Sequence, residues 1–112
     1  MPKDPTELLL ELAWEAPESD RLGVQFSLEG GRVLRFVVQY ETRLADKYVP
    51  VVRYDTAHGT PHRDLLDING NSLEKTDLDL TNEEALSLGW NDLTKNWRSY
   101  RAAFRASSRE HS

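Results

Sequence analysis

The sequence has no cysteine and no long apolar run, and its net charge is negative. Without cysteine, disulfides and thiolate metal sites are excluded, and a reducing compartment is favoured. The densest apolar cluster, three leucines at residues 8–10, is far too short to cross a bilayer. Residues 1–4 lack the apolar stretch with which a signal peptide continues. We therefore expect a cytoplasmic protein with no membrane association.

The acidic balance limits the partners that the chain can bind. A net charge of −5 argues against broad non-specific binding to DNA. The charge is unevenly placed, because residues 93–112 carry five cations, Lys95, Arg98, Arg101, Arg105 and Arg109, against Glu110 alone. Such a segment could steer an anionic partner to one end of the molecule. It equally suits a helix C-terminus, where cations complement the dipole.

Alternation of apolar and polar residues predicts an antiparallel sheet. With 112 residues, the chain should form a single domain spanning 1–112. Five strands in a meander are predicted at about 22–28, 33–42, 48–55, 62–68 and 72–80. The glycine pair at 30–31 and the Asn-Gly step at 69–70 are typical of hairpin turns. Pro50 marks the third strand as an edge strand or as a strand with a bulge.

Helices are predicted on both sides of these strands in the sequence. Pro5 and the following leucines predict a short N-terminal helix that includes Trp14 and ends near residues 17–20. A capping box from Thr81 to Glu84 begins a long helix to about residue 106, and 107–112 are expected to form a frayed tail. Its apolar stripe should cover one face of the sheet, or else a partner subunit. The stripe consists of Leu86, Trp90, Leu93, Trp97, Tyr100 and Phe104. The predicted fold class is therefore α+β.

Residues 53–64 gather the side chains best suited to chemistry, around a turn between the third and fourth strands. Histidine titrates near neutral pH, so His58 and His62 are candidate catalytic residues. Asp55 could hold one imidazole in a single tautomer. This set suits metal-independent RNA cleavage, in which one histidine removes the 2′-hydroxyl proton and the other protonates the leaving oxygen.

The arginines and the tyrosine of the same stretch are candidate substrate-binding residues. Arg53 and Arg63 could hold a phosphate in the fork of the guanidinium, with Tyr54 beside them. Alternation along a strand limits this arrangement, because Arg53 and Tyr54 leave on opposite faces, as do His62 and Arg63. At most half of the cluster can converge directly, unless the turn rotates it.

Two other interpretations of the cluster stay open. Asp55, His58 and His62 could bind a divalent metal, although their spacing matches no strong metal signature. The same side chains could instead only hydrogen-bond the turn, in which Gly59 supplies a positive φ and Pro61 stiffens the return. The sequence has no phosphate-binding loop and no nucleophile motif, so no cofactor is expected.

The pattern Arg-Tyr-Asp-x-x-His-Gly-x-x-His-Arg at residues 53–63 resembles the central motif of small prokaryotic proteins grouped with the TumE-like toxin components of toxin–antitoxin pairs. The resemblance extends over about residues 22–105, through Leu86, Asn96-Trp97, Tyr100 and Phe104. Asp64 stands where such proteins often carry another histidine or a basic residue. The resemblance implies a compact α+β domain that acts on RNA and is held by a cognate antitoxin.

The leading prediction is therefore a toxin-like RNA-acting protein. The alternatives are a non-catalytic protein-interaction domain, in the form of a homodimer, and a divalent-metal-binding protein.

Overall fold

The computed structural model describes residues 6–12, 19–56 and 59–110, and within them the chain forms six strands and one helix. The strands are β1 (Thr6–Glu11), β2 (Asp20–Glu29), β3 (Arg32–Leu44), β4 (Lys47–Asp55), β5 (His62–Leu66) and β6 (Ser72–Asp77), followed by α1 (Asn82–Glu110). Each strand pairs antiparallel with the next, in the order β1-β2-β3-β4-β5-β6. The predicted α+β class, the antiparallel meander and the long C-terminal helix are confirmed.

The prediction of a short N-terminal helix is wrong, and the sheet has one strand more than expected. Residues 6–11 instead form the edge strand β1, in which Leu8 lies opposite Val24 of β2. A helix of this length leaves most of its own backbone groups unpaired, whereas the free edge of β2 offers a full ladder. Pairing with a distant segment has therefore outweighed the helix preference of leucine and glutamate. Trp14, which was expected to close the helix, lies outside the described residues.

Pro50 lies at a bulge in β4, which confirms one of the two predicted options. The register between β3 and β4 shifts between Tyr40 and Glu41, so that Tyr40 faces Val52 while Glu41 faces Pro50. An inner strand can accept proline at such a point because the ladder hydrogen bond is already interrupted there.

The helix α1 covers one side of the sheet, which we call the helix face. The capping box is formed as predicted, since the Glu84 amide donates to Thr81 Oγ1 and the Thr81 amide donates to Glu84 Oε1, both at 3.1 Å. The helix reaches Glu110, past the end predicted near residue 106, so residues 107–110 belong to the helix.

The core lies between α1 and the helix face. Of the predicted stripe, Leu93, Trp97 and Phe104 are buried, whereas Trp90 is 36% exposed. They pack with sheet residues that include Leu22, Val38, Tyr40 and Val52, all of them fully buried.

Gly89 allows α1 to lie directly on the sheet at Tyr54. A Cβ atom at Gly89 would lie only 2.9 Å from Tyr54 Cγ, closer than side-chain atoms normally approach. The absence of a side chain at this helical position therefore sets how closely the first half of α1 approaches β4.

Candidate functional site

The pairing of β4 with β5 divides the predicted site between the two sides of the sheet. Antiparallel partners share a face, so four of the candidate side chains lie on the side away from α1, which we call the opposite face. They are Arg53, Asp55, His62 and Asp64. Tyr54 and Arg63, which pair with each other, lie on the helix face. This is the division that alternation along the strands predicts. His58 lies outside the described residues.

Three of these side chains form an Asp–His–Asp cluster made of Asp55, His62 and Asp64. His62 Nε2 lies 2.6 Å from Asp55 Oδ1 and 3.3 Å from Asp64 Oδ2. The three residues are 9%, 4% and 5% exposed, in sequence order. One potential ligand atom from each lies within 4.8 Å of the others. Two carboxylates and one imidazole are thus concentrated where little water reaches.

The atoms around the imidazole determine what this cluster can hold. Nδ1 of His62 lies 3.2 Å from the carbonyl oxygen of Thr60, which can only accept, so Nδ1 carries a proton. Nε2 then faces the two carboxylates. The approach of Asp55 Oδ1 is close but not aligned as a hydrogen bond, and this buried atom has no other donor. A bare lone pair opposite two carboxylates is repulsive, and a proton or a cation at this point would relieve that repulsion.

Neighbouring groups position the cluster. Ser72, at the start of β6, donates from Oγ to Asp64 Oδ1 at 2.9 Å, which leaves Oδ2 facing the imidazole. Gly59, in the connection between β4 and β5, has a φ of 89°, the positive value predicted from the sequence. Arg53 lies beside the cluster, and its Nε donates to Gln39 Oε1 at 2.7 Å. Contacts of this kind hold ligand groups in a fixed orientation.

Tyr54 belongs to a separate network under α1. Its hydroxyl donates to Asp92 Oδ2 at 2.6 Å, and the hydroxyl of Tyr100 donates to the same oxygen at 2.5 Å. Asn96 donates to Asp92 Oδ1 at 2.8 Å. Burial and the hydrogen bond to Asp92 raise the pKa of Tyr54, and they raise that of Tyr100 to about 12. Burial alone would raise the pKa of Asp92, but its three hydrogen bonds outweigh burial and lower it.

Arg63 completes this network. Its Nη2 lies 3.5 Å from Glu74 Oε1, and its buried Nε has no acceptor. Hydrogen bonding and charge couple Arg63 to Tyr54. Because Arg63 and Tyr54 lie on the helix face, they cannot contact the same substrate atom as His62.

Sequence reasoning did not assign Asp64 to the candidate site, although Asp64 lies within the stretch 53–64 that it singled out, and it missed Asp92. For Asp64 the signal was its position two residues after His62, which places both on one face of β5. For Asp92 the signal was its spacing of four and eight residues from Asn96 and Tyr100, which places all three on one helix face.

The sequence matches the family described as domain of unknown function DUF7718 over residues 5–110. The chain belongs to this family. No curated protein and no solved structure matches the chain. Among the described residues, no helix has both the length and the apolar character that crossing a membrane requires.

Proposed function

We propose that this DUF7718 domain binds a divalent cation in the Asp–His–Asp cluster. The observation that carries the proposal is Asp55 Oδ1, a buried oxygen 2.6 Å from His62 Nε2 with no aligned donor. With a neutral imidazole the cluster carries two negative charges, which one divalent cation would neutralise. Burying uncompensated charge is costly, so a bound cation would stabilise the folded protein.

The donor set indicates which cations suit the cluster. Carboxylate oxygens favour Mg²⁺, Ca²⁺ and Mn²⁺, whereas imidazole favours Zn²⁺, Fe²⁺ and Ni²⁺, so the mixed set favours Mn²⁺ or Zn²⁺ over Ca²⁺. The contact of His62 Nδ1 with the Thr60 carbonyl leaves Nε2 available, as in most metal-binding histidines. Three protein ligands would leave further coordination positions for water or a substrate. This set includes Asp64, whereas the set considered from the sequence included His58.

The competing interpretation is a structural ion cluster in which His62 is an imidazolium between two carboxylates. In such a cluster a proton occupies the place of the cation, and the fold gains nothing from a metal. The two interpretations therefore differ in whether added cation stabilises the fold.

Thermal unfolding of the chelator-treated protein, with and without MnCl₂ or ZnCl₂, separates them. A cation at 100 times its Kd should stabilise the folded state by about 2.7 kcal/mol, which for a domain of this size raises Tm by several degrees. Asp55→Asn and Asp64→Asn should each abolish the rise. Asp46→Asn, which changes an exposed carboxylate in the turn between β3 and β4, should retain it. An unchanged wild-type Tm, or an equal rise in Asp55→Asn, would refute the proposal.

RNA cleavage is a second proposal, and Arg53 is the residue that favours it. Arg53 lies opposite Asp64 in the ladder, on the same face as the cluster, so a phosphate held by the cation would meet a guanidinium. His62 is only 4% exposed, so removal of the 2′-hydroxyl proton is assigned to His58 rather than to His62. The cognate antitoxin, the homodimer and the likeness to TumE-like toxins stay predictions from the sequence.

The RNA proposal is tested by incubating the protein with a mixed-sequence RNA in the presence of Mn²⁺. Cleavage should disappear in both His58→Ala and Asp55→Asn while circular dichroism shows an intact fold. Cleavage that survives in both variants, or that the wild type lacks, would exclude this activity.

A further inference from the structure

We infer that the helix face carries a second site, a pocket for a small organic anion that has an apolar part. The pocket is a cavity of about 420 Å³ between the first half of α1 and strands β4 to β6. It lies on the side of the sheet away from the Asp–His–Asp cluster and does not depend on the cation proposed there. Its volume falls in the range typical of small-molecule sites.

The charges that line this anion pocket favour a negative ligand. Its lining includes two cations, Arg63 and Lys95, and one carboxylate, Asp92. Asp92 accepts two hydrogen bonds from tyrosine hydroxyls and one from Asn96, which stabilise its negative charge but do not cancel it. The lining therefore carries two positive charges against one negative charge. A ligand in the pocket would therefore meet an excess of positive charge.

Lys95 is the less occupied of the two cations. Within the described part of the chain, Lys95 forms no ion pair, and Arg63 has one, at 3.5 Å to Glu74. The Glu74 side chain is 58% exposed, and ion pairs of this kind contribute little. Arg63 also keeps a buried Nε without an acceptor. Because hydrogen bonding already couples Arg63 to Tyr54, Lys95 is the main cation available to a carboxylate or a phosphate, with the guanidinium of Arg63 at the same cavity.

The rest of the lining selects for an apolar part of the ligand. Leu78 and Leu88 form apolar walls, and Leu88 is 40% exposed where it borders the cavity. Asn91 supplies an amide at the same cavity. A carboxylate or a phosphate monoester attached to a small aryl or alkyl group would contact both the cations and the apolar walls of the pocket.

Benzoate and phenyl phosphate are suitable probes, since they share the apolar ring and differ in the anionic group. We expect one or both, added to the ¹⁵N-labelled full chain in the presence of a chelator, to shift amide resonances around residues 63, 78, 88 and 95. Lys95→Gln should weaken binding several-fold. Leu88→Glu should abolish it, because it places a negative charge at the cavity.

Matched controls separate the pocket from general charge effects. Lys47→Gln and Leu28→Glu make the same changes at exposed positions outside the pocket and should bind like the wild type. Asp55→Asn should also bind like the wild type, which keeps this test independent of the cation site. The preferred probe identifies the anionic group. The proposal is overturned if neither probe shifts these resonances, or if binding survives unchanged in both Lys95→Gln and Leu88→Glu.

Discussion

Buried carboxylates differ in their hydrogen-bond donors between the two faces of this sheet. On the helix face, Asp20 is 1% exposed and accepts hydrogen bonds from four side chains, those of Ser19, Tyr40, Thr42 and Arg101. On the opposite face, Asp55 and Asp64 share one imidazole, and Asp55 Oδ1 has no aligned donor. A carboxylate saturated with donors is suited to holding the fold together. A pair in which one buried oxygen lacks a donor is suited to receiving a cation.

Asp20 shows how saturation stabilises a charge in the core. Its hydroxyl donors come from β3 and from the residue before β2, and Arg101 donates from α1 at 2.9 Å. Burial alone would raise the pKa of Asp20, but hydrogen bonds from Tyr40, Thr42 and Ser19 outweigh it, and the pKa is lowered. Asp20 therefore stays ionised and links three parts of the chain.

The largest effect is expected from Asp20→Ala. The change leaves the guanidinium of Arg101 and the hydroxyl of Tyr40 without their acceptor, and breaking a buried pair in this way costs about 3–5 kcal/mol. Urea unfolding should show this loss, while Asp46→Ala in the exposed turn between β3 and β4 should change the free energy of unfolding little. A loss below about 1 kcal/mol would mean that saturation by donors does not stabilise the helix face.

Part of the stability that the buried carboxylates of the helix face contribute should depend on pH. The folded-state pKa values of Asp20 and Asp92 lie below the ordinary value of 3.8, so the stability that they contribute is present above that pH. It is lost as the pH falls through the lowered values. The wild type should therefore lose stability in this acidic range, and Asp20→Asn should lose less. Parallel curves for the two proteins, measured by urea unfolding at each pH, would contradict the assignment.

Two glycines, one on each side of the sheet, differ in how much room a side chain would find there. A Cβ atom at Gly89 meets Tyr54 at 2.9 Å, whereas one at Gly23, on the opposite face, meets nothing closer than Leu9 Cδ1 at 3.9 Å. Gly89→Ala gains about 1 kcal/mol of helix propensity but incurs an overpacking cost of about 1–3 kcal/mol, so the net change should be destabilising.

Gly23→Ala should instead stabilise the protein, by about 0.5–1 kcal/mol, because alanine suits a strand interior better than glycine and finds room there. Thermal unfolding of both variants measures the difference. Equal Tm changes of the same sign would show that α1 does not press on the sheet as closely as the structure indicates.

The features that were predicted correctly from the sequence are those determined by residues close together along the chain. Alternation, the hairpin glycines and the Thr81–Glu84 capping box are local, and they place β2 to β6 and the start of α1. The same alternation correctly separates Tyr54 and Arg63 from the rest of the cluster. Residues 6–11 were misassigned because their strand conformation depends on the edge of β2, which is a distant partner.

The contacts that hold the helix face to α1 are distant in sequence and therefore were not predicted. Asp20 and Arg101 are separated by 81 positions, and Tyr54 and Asp92 by 38. Neither pair produces a periodic sequence pattern, because one member lies on a strand and the other on the helix. The role of Asp64 needed both the register of β4 with β5 and the contact from Ser72.

The smallest effect should come from Asp55→Asn in the metal-free protein, and it sharpens the comparison with Asp20 most directly. An asparagine amide at this position can donate to the lone pair of His62 Nε2, and one buried negative charge is removed. The free energy of unfolding should rise by about 0.5–1 kcal/mol, as expected for one hydrogen bond gained. Urea unfolding in the presence of a chelator measures this change. A clear loss of stability would instead show that Asp55 pairs with an imidazolium, and the opposite face would then resemble the helix face in holding a compensated charge.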